Sequence, residues 1–333
     1  MKYCLLFFIL STLVLSGCQT NSSKEISSTG DSAKLTKKNF IHPPGKFITV
    51  NGAKLWVETE GKGEPLFLIA GGPGGSHLYM HSFDALQDSF QVVLIDNFGR
   101  GRSDTASDIS QYSIERDVED VEGIRKAMGY GKINLLGHSY GSLVVQSYAI
   151  KYGTNLIHLV IADGLYSGAM WQNNNDNSNH AFEQNDPEMW DSLMVLRRKG
   201  YRSSDAKHAD LYFTAHSGLL YAYSPDNVKR FPFDSTYPND MNRRLYYQYV
   251  GPDGDFTIGN EIAKYDVTKQ LKDLSMPTLI IAGRYDRVSS PRFSILYKKY
   301  CPQAKFVMFE NSGHAPQVDE PEKEMALIRS FLR

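Results

Sequence analysis

The strongest constraint in this sequence is a series of short apolar runs with helical patterns between several of them. Residues 66–70, 92–95, 133–136, 157–161, 278–281 and 306–309 are each four or five residues long and almost wholly apolar. Runs that are apolar at consecutive positions, and that short, suit strands buried on both faces. Ile114, Val118, Val121, Ile124 and Met128 recur at three-to-four spacing, with acidic residues toward the front, as in an amphipathic helix. A last helix should open near Pro321 and bury Met325, Ile328 and Phe331. Ahead of these, residues 46–50 and 53–58 flank Asn51-Gly52, a preferred dipeptide of tight hairpins. A hairpin followed by alternating strands and helices predicts an α/β fold: an open, mostly parallel sheet with helices on both faces.

At 333 residues the chain suits one large α/β domain with an inserted subdomain, or two small domains. Its 36 basic and 37 acidic residues leave a net charge of −1, which argues against a nucleic-acid partner or a protein that coats anionic membrane. Cys4, Cys18 and Cys301 cannot form a disulfide framework or a four-cysteine metal site. Nothing in the sequence names an oligomeric partner.

Lys2 is followed by an apolar run from Cys4 to Leu15 and then by Ser16-Gly17-Cys18. This reads as a secretory signal, too short for a membrane span. The ending Leu15-Ser16-Gly17-Cys18 resembles the lipobox of bacterial lipoproteins. That resemblance implies cleavage before Cys18, acylation of its thiol and of the new amino terminus, and export to a bacterial cell membrane. Several acyl chains anchor durably where one binds reversibly. Ordinary secretion, with Cys18 incidental, is the alternative. The polar stretch from Gln19 to Asn39 then serves as a tether.

Between Leu165 and Gln270 no parallel strand is convincing. An Asn-rich patch (Asn173, Asn174, Asn175, Asn177, Asn179) and a tyrosine-rich stretch stand there instead. An insertion of that size after a strand predicts a mainly helical lid over the carboxyl ends of the strands. Most of its aromatics should be packing core, with one or two lining a pocket. The expected division is 1–17 signal, 18–40 lipidated terminus and tether, 41–165 first core part, 166–268 lid, and 269–333 second core part.

The chemistry is most legible at Gly137-His138-Ser139-Tyr140-Gly141, a G-x-S-x-G pentad between a candidate strand and a helix beginning near Leu143. Such a serine sits on a sharp strand-to-helix turn, and flanking glycines let neighbouring backbones approach while Oγ stays free. Asp286 and His314 follow the next candidate strands, in the chain order Ser…Asp…His. Alone, each has a plain reading as a loop or core residue. Together, at strand ends, they make a nucleophile, a base and an orienting acid. Asp163, which also ends a strand, is the competing acid, with a structural or lid-hinge role as its simpler reading.

Two backbone N–H groups should hold the oxyanion: that of Tyr140, and that of Gly72 in Gly71-Gly72-Pro73-Gly74-Gly75. This glycine run lacks the G-K-[ST] ending of a phosphate loop, so no nucleotide cofactor is expected. The nine histidines form no H-E-x-x-H, and no metal site is expected either.

With these residues in place the chain resembles the α/β-hydrolases, and within them the prolyl iminopeptidases, including the tricorn-interacting aminopeptidase branch. The resemblance runs from Lys46 to Arg333. It is carried by Gly71-Gly72-Pro73-Gly74-Gly75-Ser76-His77-Leu78-Tyr79, by Asp96-Asn97-Phe98-Gly99-Arg100-Gly101-Arg102-Ser103, and by the triad Ser139, Asp286 and His314. It implies an α/β-hydrolase fold and a serine aminopeptidase releasing N-terminal proline or another small residue from short peptides. In that family lid carboxylates capture the substrate's α-amino group, and the segment Gly251-Pro252-Asp253-Gly254-Asp255-Phe256 is one residue longer than its G-P-N-E-F. The resemblance thus points to Asp255, with Glu183 or Glu188 as a second carboxylate. Alternatives are an esterase, amidase or lactonase acting on an acyl substrate, and a lipid-anchored binding protein without catalysis.

Overall fold

Eight strands pair into one sheet: β1 (Gly45–Val50), β2 (Ala53–Glu60), β3 (Pro65–Ile69), β4 (Gln91–Ile95), β5 (Ile133–His138), β6 (Leu156–Ala162), β7 (Thr278–Gly283) and β8 (Lys305–Phe309). Their spatial order is β1-β2-β4-β3-β5-β6-β7-β8. β1 pairs antiparallel with β2, and β2 with β4; the other pairings are parallel. The computed structural model describes residues 40–216 and 220–333, which form one compact unit. The signal and tether readings, Cys18 among them, fall outside the described residues.

The apolar runs are strands because both faces of the sheet are covered. In β3, Phe67 and Ile69 join one core while Leu66 and Leu68 join the other; β4 divides the same way, Val93 and Ile95 against Val92 and Leu94. The first core is closed by α1 (Ile114–Ala127) and α2 (Gly141–Tyr152), through residues such as Val118, Val121, Val144 and Tyr148. The second is closed by a 3₁₀ helix over Leu78–Asp88 and by the C-terminal helix Pro321–Leu332. In that last helix Met325, Ile328 and Leu332 are buried and Phe331 is half-buried. Truncating Ile328 to alanine would cost about 2–5 kcal/mol.

Capping explains several boundaries. The Ser113 hydroxyl accepts from Arg116 N–H at 3.0 Å and starts α1, whose first turn carries Glu115 and Asp117 and whose last carries Arg125 and Lys126. α2 begins at Gly141, two residues earlier than its apolar pattern suggests, because the helix grows directly out of the turn at Ser139.

Between β6 and β7 the chain forms α3 (Gly168–Asn185), α4 (Pro187–Arg198), α5 (Ala206–His216), α6 (Arg243–Val250) and α7 (Asn260–Lys264), with no strand among the described residues. The asparagines of α3 hold a neighbouring loop. Asn175 Nδ2 donates to the Gly254 carbonyl at 2.6 Å and Asn179 Nδ2 to the Asp255 carbonyl at 2.8 Å.

Candidate active site

The nucleophile candidate sits where the sheet forces a sharp turn. β5 ends at His138, α2 opens at Gly141, and Ser139 between them has φ of 54°, the left-handed region that a non-glycine residue occupies only under constraint. A Cβ at Gly141 would meet the Ile69 carbonyl oxygen at 2.2 Å, so only glycine allows β3 and the elbow to pack this closely. Asp286 follows β7 and His314 follows β8, which brings all three to the carboxyl ends of parallel strands, with β6 between β5 and β7.

The candidate acid and base are joined. His314 Nδ1 donates to Asp286 Oδ2 at 2.8 Å, and both side chains are buried. Asp286 Oδ1 accepts from the N–H groups of Val288 (2.7 Å) and Ser289 (2.6 Å), which fixes the carboxylate. His314 Nε2 has no hydrogen-bond partner and lines the same cavity as Ser139. The Ser139–His314 hydrogen bond is therefore not formed here, and such contacts commonly tighten only with substrate.

Asp163 lies beside this pair: its carboxylate, that of Asp286 and a His314 nitrogen lie within 4.8 Å of one another. It bonds elsewhere, with Oδ1 accepting from Gly283 N–H at 2.9 Å. Burial, then the neighbouring Asp286 and Glu324, push its pKa well above the carboxylate range. A carboxyl whose charged form is disfavoured is the poorer stabiliser of an imidazolium.

A buried ion pair braces the loops around the serine. Arg100 meets Asp117 with two bonds, at 2.8 and 2.9 Å, and its Nε donates to the Pro73 carbonyl at 2.6 Å. Asp117 Oδ2 also accepts from Tyr140 Oη at 2.7 Å and Tyr249 Oη at 3.3 Å. One charge pair thus ties the glycine loop, the elbow and α6 together. Planar guanidinium geometry makes arginine the fitting residue there.

A cavity of about 430 Å³ opens over these residues. Gly72, Ser139 and His314 line its floor, and Trp171, Tyr212, Phe213, Tyr221 and Tyr246 line it from the inserted segment. Asp255 lines it too. Its carboxylate is buried and accepts from Tyr246 Oη at 3.1 Å and Tyr247 Oη at 3.0 Å. Burial raises its pKa to about 6, against the pull of the two hydroxyls.

Glu183 and Glu188 are exposed on α3 and α4 and lie outside the cavity lining. They do not supply the second carboxylate expected of one of them. Glu183 turns instead to His180, 3.6 Å away. The second carboxylate of the cavity is Asp240, bonded to the Ser76 hydroxyl. Only its position opposite the glycine loop, created by an isolated bridge between Gly75 and Met241, reveals it; the surrounding sequence has no motif.

A nucleophile elbow, an acid–base pair at successive strand ends and a mostly parallel eight-stranded sheet define an α/β-hydrolase. The chain belongs to the alpha/beta hydrolase fold family, whose model matches residues 64–321, and it is a hydrolase. Within that family it is a homologue of the proline iminopeptidases. It is 33% identical over 310 residues to the proline iminopeptidase of Saccharolobus solfataricus, covering 86% of this chain and 96% of that one. Identity to the Heyndrickxia coagulans proline iminopeptidase is 27% over 290 residues, covering 86% and 97%. The crystal structure of Mycobacterium smegmatis proline iminopeptidase superposes with a TM-score of 0.69 at 19% identity, covering 87% of this chain and 97% of that one. At that identity the likeness speaks for the fold.

Proposed function

We propose that this protein is a serine aminopeptidase that releases N-terminal proline or another small residue from short peptides. In this reading Ser139 Oγ attacks the scissile carbonyl while His314 Nε2 accepts its proton. Asp286 holds the other face of the imidazole and stabilises its charged form. The N–H groups of Tyr140 and Gly72 receive the oxyanion. His314 then gives its proton to the departing amine, leaving an acyl-enzyme that water hydrolyses by the same steps. Substrate amine recognition falls to Asp255.

The observation that carries the reading is a buried carboxylate, Asp255, in the same cavity as Ser139 and His314. An anion there, held by two tyrosine hydroxyls, suits an α-ammonium group, and the homology to proline iminopeptidases supports the same choice. The test is a panel of Pro-, Ala- and Leu-arylamides beside short acyl esters, with Ser139→Ala as control. The proposal expects turnover of the free-amine arylamides and loss of it when the amine is blocked. Turnover of esters alone would replace the peptidase reading with an esterase on the same scaffold.

We further propose export and anchoring to a bacterial cell membrane through acylated Cys18, supported by Leu15-Ser16-Gly17-Cys18 and the polar stretch behind it. Intact-mass analysis of the membrane fraction tests this. A mature terminus at Cys18 without added lipid would overturn it.

A further inference from the structure

Away from the cavity, three histidines converge on one carboxylate oxygen. His42 Nδ1, His77 Nε2 and His81 Nε2 stand 3.3, 3.4 and 3.2 Å from Glu58 Oε2. The four donor atoms all lie within 4.8 Å of one another. The Glu58, His77 and His81 side chains are fully buried, and that of His42 is 9% exposed.

Two features separate this from a set of hydrogen bonds. First, the imidazoles already spend their protons outward: His77 Nδ1 bonds Asp96 Oδ1 at 2.8 Å and His81 Nδ1 bonds Asp84 Oδ1 at 2.9 Å. His81 Nε2 and Glu58 Oε2 are at hydrogen-bond distance, but in a neutral His77 ring the bond to Asp96 turns the Nε2 lone pair toward the Glu58 carboxylate, acceptor against acceptor. His77 Nε2 is indeed buried without a hydrogen-bond partner. Second, a tetrahedron with metal–ligand bonds of about 2.0–2.1 Å has edges of about 3.3–3.4 Å, close to the three distances to Glu58 Oε2. Carboxylates behind the distal ring nitrogens, such as Asp96 and Asp84, are the outer partners that metal-binding histidines ordinarily have. Asp234 stands behind His42 Nε2 at 3.5 Å. Trp56 Nε1 donates to Glu58 Oε1 at 2.7 Å, leaving Oε2 to the histidines, and Arg102 stands 3.8 Å from that same Oε1.

We propose that His42, Glu58, His77 and His81 bind one divalent transition-metal ion of the zinc class. With four protein ligands and no open position, such a site is structural. It joins the segment before β1, the strand β2, and the helix that follows the glycine loop. His77 comes directly after Ser76, so the ion fixes the exit of the loop that carries Gly72. Only His77 and His81, four residues apart, share a segment; His42 and Glu58 come from two other elements, so no single motif marks the whole site.

The test uses untagged protein, stripped with a chelator and titrated with Zn²⁺ and with Co²⁺. One ion per chain by elemental analysis, tetrahedral Co²⁺ absorption bands and a higher melting temperature with Zn²⁺ are expected. His81→Gln and the less buried His42→Gln should each abolish the Co²⁺ bands. Asp84→Asn, which removes only an outer partner, should weaken Zn²⁺ by about 10- to 100-fold. His180→Gln, on the surface, and His314→Gln, at the active site, should leave the bands unchanged. Absence of stoichiometric metal together with a melting temperature indifferent to Zn²⁺ would overturn the proposal in favour of a protonated cluster. So would binding that survives both His81→Gln and His42→Gln, or that disappears with His314→Gln.

Discussion

His138 and His314 are linked ring to backbone: His138 Nε2 donates to the His314 carbonyl oxygen at 2.7 Å. The residue before Ser139 thus holds the main chain of His314. Burial and the nearby His314 push the His138 pKa down to about 3, so the ring stays neutral. With its proton on Nε2, Nδ1 must accept, and Tyr79 Oη donates to it at 2.8 Å. Tyr79 in turn accepts from Gly71 N–H. Glycine loop, elbow and base share one hydrogen-bond chain. Tyr79→Phe should leave Gly71 N–H and His138 Nδ1 unpaired, at a cost of about 1–3 kcal/mol in denaturant unfolding. It should also lower kcat more than it raises KM, because what loosens is the alignment of Ser139 and His314.

Ser139→Ala should reduce kcat by at least ~10³-fold while the melting temperature stays close to wild type. Alanine fits the elbow and removes no core atom. Near-normal turnover in contaminant-free protein would remove Ser139 as the nucleophile.

The two aspartates can be told apart by isosteric amides. Asp286→Asn should cost about 10³- to 10⁴-fold in kcat, because it takes the charge from the partner of His314. Asp163→Asn should leave kcat within about one order of magnitude, since its carboxyl bonds the Gly283 N–H and burial disfavours its charged form. The reverse ranking would make Asp163 the acid.

With Asp255 as the proposed amine receptor, the enzyme should have a substrate-dependent pH profile. Its pKa of about 6 means that the carboxylate is lost as pH falls through 6. kcat/KM for a Pro- or Ala-arylamide should drop there more steeply than for an acyl ester. Asp255→Asn should cost the arylamide about 30- to 1,000-fold and spare the ester. Equal effects on both substrates would remove Asp255 as the amine receptor.

Glu324, in the C-terminal helix, is buried without a partner, and burial lifts its pKa from 4.5 to about 8. The folded state therefore holds a proton that the unfolded chain releases at lower pH. The contribution to stability is full below about 4.5 and is lost as pH rises toward 8 and beyond. Glu324→Gln should flatten that decline, by an amount of order a few kcal/mol, and raise the melting temperature at pH 8 relative to wild type. Parallel melts at pH 4.5 and pH 8 measure it.

The strands and the positions of Ser139, Asp286 and His314 were legible because each depends on local pattern. An apolar run buried on two faces, or a glycine-flanked turn, specifies itself within a few residues. Glu183 and Glu188 were misassigned because lying in the inserted segment says nothing about which face of a helix meets the cavity; both face outward. Asp240 and the histidines around Glu58 were hidden for a related reason. His77 and His81 are only four residues apart, but Glu58 is 16 positions from His42 and Asp240 is 164 from Ser76, pairs that only the folded chain brings together.

The bridge between Ser167 and Asp266 has an evolutionary consequence. Gly168 N–H donates to the Tyr265 carbonyl at 2.8 Å and Val267 N–H to that of Tyr166 at 3.1 Å, so the inserted segment departs and returns through a single clasp. Selection can lengthen, shorten or replace what lies between while β6 and β7 keep their register. A chimera that transplants residues 168–265 from a relative, cut at this clasp, would carry over a new substrate preference as a cassette, provided the incoming segment restores the hydroxyl of Tyr249 to Asp117.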